Sequence, residues 1–340
     1  MLELLKTLCA LSGPSGEEDA VRAFIREQAE PHADEIRTDA MGNLMVFRTG
    51  ARKPEKPMLV CAHMDEVGLI VKRITDDGML KFGFVGGIDP RVVIGRRVKF
   101  GDTAGVVGIK AVHLTKASER RRMPDTKDLY IDIGASSKKA AQAKVSLGDY
   151  GVFDSDVVEF GDGLLKAKAI DDRVGCAVML KLLEEKPALD TWFVFTVQEE
   201  TGLRGSATAA FALDPAACLV LEGTTAADLA EAPGHKQVCA LRRGPVLPFM
   251  DRSTIYDQTL LTQLRDTAVQ LGLPWQLKQM TSGGTDAGRI HKIRAGVPTV
   301  GLAAPVRYIH SPVSVAAVCD MENMLVLARS FLQGLAQTTE

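Results

Sequence analysis

The sequence predicts an α/β protein whose mostly parallel sheet, covered by helices, is interrupted by a smaller β-rich domain. After Leu164, short apolar runs typical of buried strands alternate with helical patterns. Between Leu69 and Phe160, short strand patterns are instead separated by turns rich in Gly and Asp. The chain has 340 residues, 46% of them hydrophobic and 25% charged. That length suggests about two domains and is enough to bury a large core.

The first elements predict helices followed by a buried strand. Leucines recur at helical spacing in the first eleven residues. The segment Ser15-Gly16-Glu17-Glu18 matches a capping box with Ser15 as N-cap and Glu18 at N3, so we expect a second helix to open there. Residues 58–61 form a continuous apolar run, which indicates a buried parallel strand that ends in polar residues.

The middle of the chain predicts a β-rich insertion. Turn signals such as Asp76-Asp77-Gly78 and Gly86-Gly87 separate its strands. The expected strands are 80–85, 97–100, 105–109 and 130–133. Residues 118–128 are polar and charged, and we expect a mobile loop there.

The last part of the chain returns to alternating strands and helices. The expected helices are 172–183, 204–213, 259–271 and 316–335, and the expected strands are 191–197, 218–221, 275–280 and 298–302. We therefore divide the chain into a discontinuous domain, 1–66 and 164–340, and an insertion, 67–163.

Charge and cysteine usage narrow the classes of partner. With 41 basic and 43 acidic residues the net charge is −2, so we expect no binding to nucleic acid or to an anionic membrane. No apolar run is long enough to span a bilayer, and the N-terminus does not resemble a secretory signal. The six cysteines form no CxxC pair. Buried, reduced thiols in a cytoplasmic protein are the expectation.

Polar side chains follow each predicted strand. The carboxyl ends of parallel strands meet at one edge of a sheet, where ligands of α/β proteins bind. The residues expected at this edge are His63, Asp65, Asp171, Asp172, Glu199, Glu200, Glu222 and His310. Two imidazoles with several carboxylates and no thiolate suit Zn, Co or Mn.

Such a set could support hydrolysis by two cations. Asp171 is the candidate bridge between cations about 3.5–4 Å apart, which would turn a bound water into hydroxide near neutral pH. Glu199, beside the ligand candidate Glu200, could take that proton and deliver it to the leaving group. Asp65 could orient the His63 imidazole by accepting from its other N–H.

Six motifs in this order resemble the M42 family of dinuclear-metal aminopeptidases, which includes TET peptidases, glutamyl aminopeptidases and proteins labelled endoglucanase M. They are Ser12-Gly13-Pro14-Ser15-Gly16-Glu17-Glu18, Ala62-His63-Met64-Asp65-Glu66-Val67-Gly68, Ala169-Ile170-Asp171-Asp172-Arg173, Gln198-Glu199-Glu200-Thr201-Gly202, Gly283-Gly284-Thr285-Asp286-Ala287-Gly288 and Arg307-Tyr308-Ile309-His310-Ser311. The resemblance covers nearly the whole chain.

The resemblance implies a phosphorylase/hydrolase-like di-zinc peptidase domain with a PDZ-like insertion used for subunit contacts. It implies two divalent metal ions per subunit, Zn or Co, with His63 and Glu222 on one, Glu200 and His310 on the other, and Asp171 bridging. Glu199 would be the general base and acid, and Asp65 the residue that orients a ligand. The implied substrates are peptides, cleaved at the N-terminal residue, and the implied assembly is a homo-oligomer, often a dodecamer.

Some alternatives stay open at this point. The family commonly has Asp where this chain has Glu222, and many relatives have an acid where it has Ser314. Residues 283–286 could form a capped turn or a wall of the substrate pocket, and Arg307 and Tyr308 could face substrate or the rim. The acidic pairs would also suit a metal-independent glycoside hydrolase, which needs two carboxylates and no metal. A non-catalytic, chaperone-like shell is the third possibility.

Overall fold

The chain forms two sheets, one large and open and the other a closed barrel. The computed structural model describes residues 1–335. Its strands are β1 (Glu35–Thr38), β2 (Leu44–Arg48), β3 (Met58–His63), β4 (Gly68–Ile74), β5 (Leu80–Val85), β6 (Arg97–Phe100), β7 (Thr103–Ile109), β8 (Leu129–Asp132), β9 (Tyr150–Phe153), β10 (Val158–Phe160), β11 (Leu164–Ala167), β12 (Thr191–Thr196), β13 (Ala217–Thr225), β14 (Val246–Leu247), β15 (Gln276–Leu277), β16 (Thr299–Arg307) and β17 (Ser314–Ala317). Its helices are α1 (Leu2–Ala10), α2 (Asp19–Ala29), α3 (Pro90–Val93), α4 (Ala117–Arg121), α5 (Lys138–Gln142), α6 (Ile170–Leu183), α7 (Gly205–Leu213), α8 (Gln258–Gln270), α9 (Ala287–Ile290) and α10 (Val318–Gly334).

The large sheet confirms the predicted α/β class. Its strand order is β1-β2-β12-β3-β13-β16-β17-β11-β10, with β14 and β15 attached beside β16. The central strands β12, β3, β13 and β16 are mutually parallel. The flanking pairs, such as β1 with β2 and β11 with β17, are antiparallel. The parallel centre is buried on both faces, which explains why β3 and β12 are continuous apolar runs.

Helices cover both faces of this sheet. The larger core contains side chains of α1, α2, α6, α8 and α10 packed on one face. The other face packs against α7 and α9. Helix α6 is buried along almost its whole length, and it contacts β3 and β13. The regular part of this helix therefore fixes its irregular first residues, which include Asp171, against the centre of the sheet.

The inserted segment forms a closed antiparallel barrel in the order β4-β5-β8-β7-β6-β9. It has its own core of aliphatic and aromatic side chains, including Leu69, Phe82, Val98 and Phe153. Strand β10 pairs with β11 and so belongs to the large sheet. Residues 336–340, which end the predicted domain segment 164–340, lie outside the described residues.

The capping box predicted at Ser15 is wrong. Helix α2 begins at Asp19, and its N-cap residue is Glu18, without a side-chain cap. The Ser15 and Glu18 side chains bond to other parts of the chain instead. A four-residue motif reports only local geometry, and here tertiary partners outcompete the local bonds.

Two other boundaries also differ from the prediction. The final helix starts at Val318, and the residues before it form β17, which pairs with β16 and β11. Residues 118–128 include part of α4 and a short 3-10 turn, Thr126–Asp128, capped by Asp125.

Five of the six thiols are buried and Cys319 is exposed, and all six are free. Over residues 1–335, no helix has the length and apolar character needed to cross a membrane.

Candidate metal centre and active site

The predicted polar residues meet at the carboxyl edge of the parallel strands. His63 is the last residue of β3, and Glu199 and Glu200 follow β12 closely. Glu222 lies inside β13, which continues to Thr225, rather than after it. His310 follows β16, and Asp171 lies between β11 and the regular part of α6. The peptide bond between Asp171 and Asp172 is cis.

Five of these side chains form two groups that share one member. His63, Asp171 and Glu222 form the first group, and Asp171, Glu200 and His310 form the second. Within each group the potential ligand atoms all lie within 4.8 Å of one another. The structure therefore brings together all five side chains predicted as ligands.

Asp171 joins the two groups through its two carboxylate oxygens. Its Oδ1 lies 3.4 Å from Nε2 of His63, and its Oδ2 lies 3.5 Å from Nε2 of His310. Nε2 of His63 also lies 3.2 Å from Glu222 Oε1. Nε2 of His310 lies 3.2 Å from Glu200 Oε2. Each oxygen of Asp171 thus faces a different imidazole–carboxylate pair.

This donor set fits two divalent cations. Asp171 Oδ1 is buried and has no hydrogen-bond partner within residues 1–335. Buried carboxylates are costly unless a cation or hydrogen bonds compensate them. Imidazole nitrogen with carboxylate oxygen, and no sulfur, is a ligand combination that Zn and similar ions accept.

The pKa values in the cluster are shifted by burial and by the closely spaced charges. Burial raises the pKa of Glu222 well above its usual range, and it raises the pKa of Glu200 to about 7. Burial alone would lower the pKa of His310, but the hydrogen bond with Asp171 and the charge of Glu200 outweigh it and raise that pKa to about 9. Burial is likewise outweighed at His63, where Glu222 and Asp171 raise the pKa.

Asp65 is fully buried and holds the segment that carries both glutamates. Its Oδ1 accepts from the backbone N–H of Glu199 at 3.0 Å, and its Oδ2 accepts from that of Glu200 at 3.1 Å. Nδ1 of His63 lies closer to the backbone oxygen of Asp65, at 3.1 Å, than to the carboxylate, at 3.4 Å. The carboxylate therefore contacts the glutamate segment more closely than the imidazole.

Glu199 lies beside the first group and is 9% exposed. Burial raises its pKa well above the usual range for a carboxyl group, and the charges of Glu222 and Glu200 add to that increase, although His63 opposes it. A buried carboxyl with a raised pKa next to a reaction centre is suited to accept and return a proton.

Several residues near the site were not assigned this position by the sequence reasoning. Ser15 donates to Asp65 Oδ2 at 2.5 Å, and Glu18 accepts from the backbone N–H of Gln198. Thr196 donates to Asp286 Oδ2, and Asp286 stands at the N-cap position of α9 without a side-chain cap bond. The only sequence signal for these contacts was the presence of the residues in motifs of the family.

The open alternatives for the rim are partly resolved. The Arg307 guanidinium forms two bonds of 2.7 Å to the Asp228 carboxylate. Tyr308 is half-exposed, and Ser314 donates to its backbone oxygen. Thr285 lines a small pocket beside Glu222, together with Tyr256. Residues 283–286 therefore line this pocket through Thr285 and precede α9, but the side-chain cap expected of the turn is not formed.

Comparison with known proteins agrees with this geometry. The model of the family described as M42 glutamyl aminopeptidase matches residues 42–327. A lysyl aminopeptidase of Pyrococcus furiosus is 31% identical over 346 residues, which cover 98% of this chain and 97% of that protein. A TET aminopeptidase from the archaeon Thaumarchaeota archaeon SCGC AB-539-E09 superposes with a TM-score of 0.94 at 37% identity, covering 98% of this chain and 96% of that one.

A second solved structure is related along its whole length. The Pyrococcus horikoshii TET1 peptidase, described as able to assemble into a tetrahedron or a large octahedral shell, superposes with a TM-score of 0.85 at 30% identity. The match covers 97% of this chain and 98% of that one. From the family match and these relatives, we conclude that this chain belongs to the M42 family of aminopeptidases and is a peptidase that hydrolyses peptide bonds.

Proposed function

We propose that this aminopeptidase removes N-terminal residues from peptides with the help of two divalent cations per subunit, zinc or cobalt. His63 and Glu222 would hold one cation, Glu200 and His310 would hold the other, and Asp171 would bridge them. The observation that carries the proposal is the orientation of Asp171, whose two oxygens face two different imidazole–carboxylate pairs. All five candidate ligands belong to one chain.

Glu199 and Asp65 have different roles in the proposed reaction. When bound, divalent cations polarise the scissile carbonyl and lower the pKa of water. Glu199 takes a proton from the attacking water and returns it to the nitrogen of the leaving peptide, for which its raised pKa is suited. Asp65 keeps Glu199 and Glu200 in place through their backbone N–H groups.

The proposal also covers the division of the chain into domains and its assembly into an oligomer. We infer a catalytic domain of residues 1–66 and 164–340 and a PDZ-like insertion of residues 67–163 that contacts neighbouring subunits. The independent core of the barrel supports this division from β4 to β9, whereas β10 pairs with the large sheet. We propose a homo-oligomer with a dodecamer as the expected size, and the assembly of the related P. horikoshii peptidase into a tetrahedron or a large octahedral shell supports an oligomer. Free, mostly buried thiols are in keeping with a cytoplasmic location.

The substitution Glu199→Gln tests the proton-transfer role. It keeps the size and polarity of the side chain but removes the group that titrates. We expect kcat on an aminoacyl-anilide to fall by about 10²–10⁴-fold, with wild-type metal content and melting temperature. The exposed Glu17 gives the control variant Glu17→Gln, which should retain full activity. Activity of Glu199→Gln near the wild-type level would refute the assignment.

Removal of metal separates this proposal from the glycosidase alternative. A chelator should abolish aminopeptidase activity, and added Zn or Co should restore it. A glycosidase that works with two carboxylates would be indifferent to the chelator. The close pairing of each carboxylate group with an imidazole favours the metal-dependent reaction. Hydrolysis of a polysaccharide that persists in the chelated protein would favour the alternative.

A further inference from the structure

The segment that presents Glu199 is held by carboxylates from two other parts of the chain. Three consecutive backbone N–H groups, those of residues 198–200, each donate to a carboxylate oxygen. That of Gln198 donates to Glu18 Oε1 at 3.1 Å, and the next two donate to the two oxygens of Asp65. Glu18 lies at the start of α2, far from Asp65 in sequence.

We propose that Glu18 is a positioning residue for Glu199, acting through the backbone of Gln198. The inference rests on the proposed function, in which Glu199 transfers the proton. Glu18 would fix the direction from which the Glu199 side chain enters the site. It would touch neither the substrate nor a cation.

The burial and bonding of Glu18 indicate that its contact with Gln198 is well defined. The residue is 3% exposed. Its Oε1 accepts from Gly16 N at 2.8 Å in addition to Gln198 N, so one oxygen ties the loop before α2 to the catalytic segment. Its Oε2 lies 3.9 Å from the Arg22 guanidinium. The oxygen that contacts the catalytic segment is therefore fixed from two sides.

The backbone of the held segment explains why it needs support. Gln198 has a φ of 57°, in the left-handed region that non-glycine residues rarely adopt. Such conformations persist only where surrounding contacts enforce them, and they cluster at active sites. Without its bond to Glu18, Gln198 could relax towards a more ordinary conformation and carry Glu199 with it.

Ser15 completes the same arrangement from a neighbouring position. Its hydroxyl donates to Asp65 Oδ2, and its backbone N–H donates to the backbone oxygen of Glu66. The loop before α2 thus contacts the catalytic segment twice, directly through Glu18 and indirectly through Asp65. Glu18 is the better probe, because a substitution there leaves Asp65 unchanged.

The test compares three variants of adjacent glutamates. Glu18→Ala removes the acceptor, Glu18→Gln keeps an oxygen that can accept from Gln198, and Glu17→Ala alters an exposed neighbour. We expect Glu18→Ala to lower kcat by about 10–100-fold, because small misplacements of a reacting group have effects of this size. KM and metal content should change less than about three-fold. Glu18→Gln should restore kcat to within about three-fold of wild type, and Glu17→Ala should match wild type.

A double-mutant cycle shows whether Glu18 acts through Glu199. If it does, Glu18→Ala should have little further effect on the residual rate of Glu199→Gln. A merely structural role would instead lower kcat in both backgrounds, and that result would overturn the inference. If Glu18→Ala does not fold, Glu18→Asp replaces it with the same expectation, because its shorter side chain withdraws the acceptor from Gln198.

These variants distinguish failure of the Glu18 positioning role from failure of the Glu199 proton-transfer role. Loss of activity in Glu199→Gln with wild-type kcat in Glu18→Ala would overturn this inference and leave the proposed function standing. Wild-type activity in Glu199→Gln would overturn both. A lower kcat in both Glu199→Gln and Glu18→Ala, with an unchanged KM in Glu18→Ala and near-wild-type kcat in Glu18→Gln, would support both.

Discussion

A single side chain, Asp171, determines whether this site is one group of ligands or two. Its pKa is lowered because His310 and His63 together outweigh the effect of burial, so it carries a negative charge between two imidazoles. His63 lies beside one of its oxygens and His310 beside the other, and each imidazole also contacts one glutamate, Glu222 or Glu200. A substitution at Asp171 and a substitution at a residue of only one group should therefore differ in the number of metal ions that each subunit loses.

We predict that Asp171→Ala loses both cations, whereas Glu200→Gln loses one. Wild-type protein should contain about two metal ions per subunit, Asp171→Ala close to none, and Glu200→Gln about one. Elemental analysis after gel filtration measures this directly. The exposed carboxylate variant Asp102→Asn should keep the wild-type content. Equal metal content in the Asp171 and Glu200 variants would contradict a shared ligand.

Residue types at strand ends predicted which side chains would lie together, but their contacts were harder to predict. The five candidate ligands do lie together, and their roles as ligands stay a prediction. The capping box at Ser15 was a reasonable prediction from four residues, yet Ser15 and Glu18 bond to segments about 50 and 180 residues away. Such long-range partners depend on tertiary packing, which a local pattern does not contain.

At the scale of elements, apolar patterns predicted that the parallel strands exist, but β13 and β16 continue four and five residues beyond their predicted ends. The predicted boundaries of β5 and β6 agree with the structure residue for residue. The sequence reasoning missed several strands, among them the mostly exposed β1, the largely buried β2, β4 and β9, and β17, a short run of small residues that looks like the start of α10. β1 lies at the exposed edge of the sheet and leaves a weak pattern, whereas β17 is buried between β16 and β11, and its small residues show no alternation.

A buried group of charges connects several of these elements. Nζ of Lys168 contacts both carboxylate oxygens of Glu66, at 2.6 and 2.8 Å, and donates to the backbone oxygen of Leu11. Arg173 lies 3.3 Å from the same carboxylate and donates to the backbone oxygen of Leu8. The group thus joins the end of α1, the segment before Asp171 and the entry to the barrel.

We predict that Lys168→Met lowers the free energy of unfolding by about 3–5 kcal/mol, because it leaves the buried Glu66 carboxylate without its nearest cation. Chemical denaturation measures the loss. Lys166→Met, two residues earlier in β11 and half-buried, should change the free energy by no more than about 0.5 kcal/mol. Equal effects of the two substitutions would show that the ion pair has no special importance.

At the scale of the whole molecule, the proposed division places the subunit contacts in the insertion and the chemistry at the large sheet. The barrel has its own core, and the candidate ligands belong to the large sheet and the segments that follow its strands. The segment between β7 and β8 exposes apolar side chains, with Val112 66% and Leu114 62% exposed. Adjacent exposed apolar residues often mark surfaces that contact another protein. We therefore expect this segment to take part in the proposed subunit contacts.

The double substitution Val112→Asp with Leu114→Asp should reduce the assembly to smaller species, because it places charge in an apolar contact. Light scattering after gel filtration should show a several-fold drop in mass, whereas Leu147→Asp, an exposed leucine outside this segment, should leave the mass unchanged. Activity on a single aminoacyl-anilide should survive dissociation, because one chain supplies all five candidate ligands. An unchanged mass in the double variant would exclude this segment from the interface. A loss of small-substrate activity together with the mass would instead mean that a neighbouring subunit completes the site.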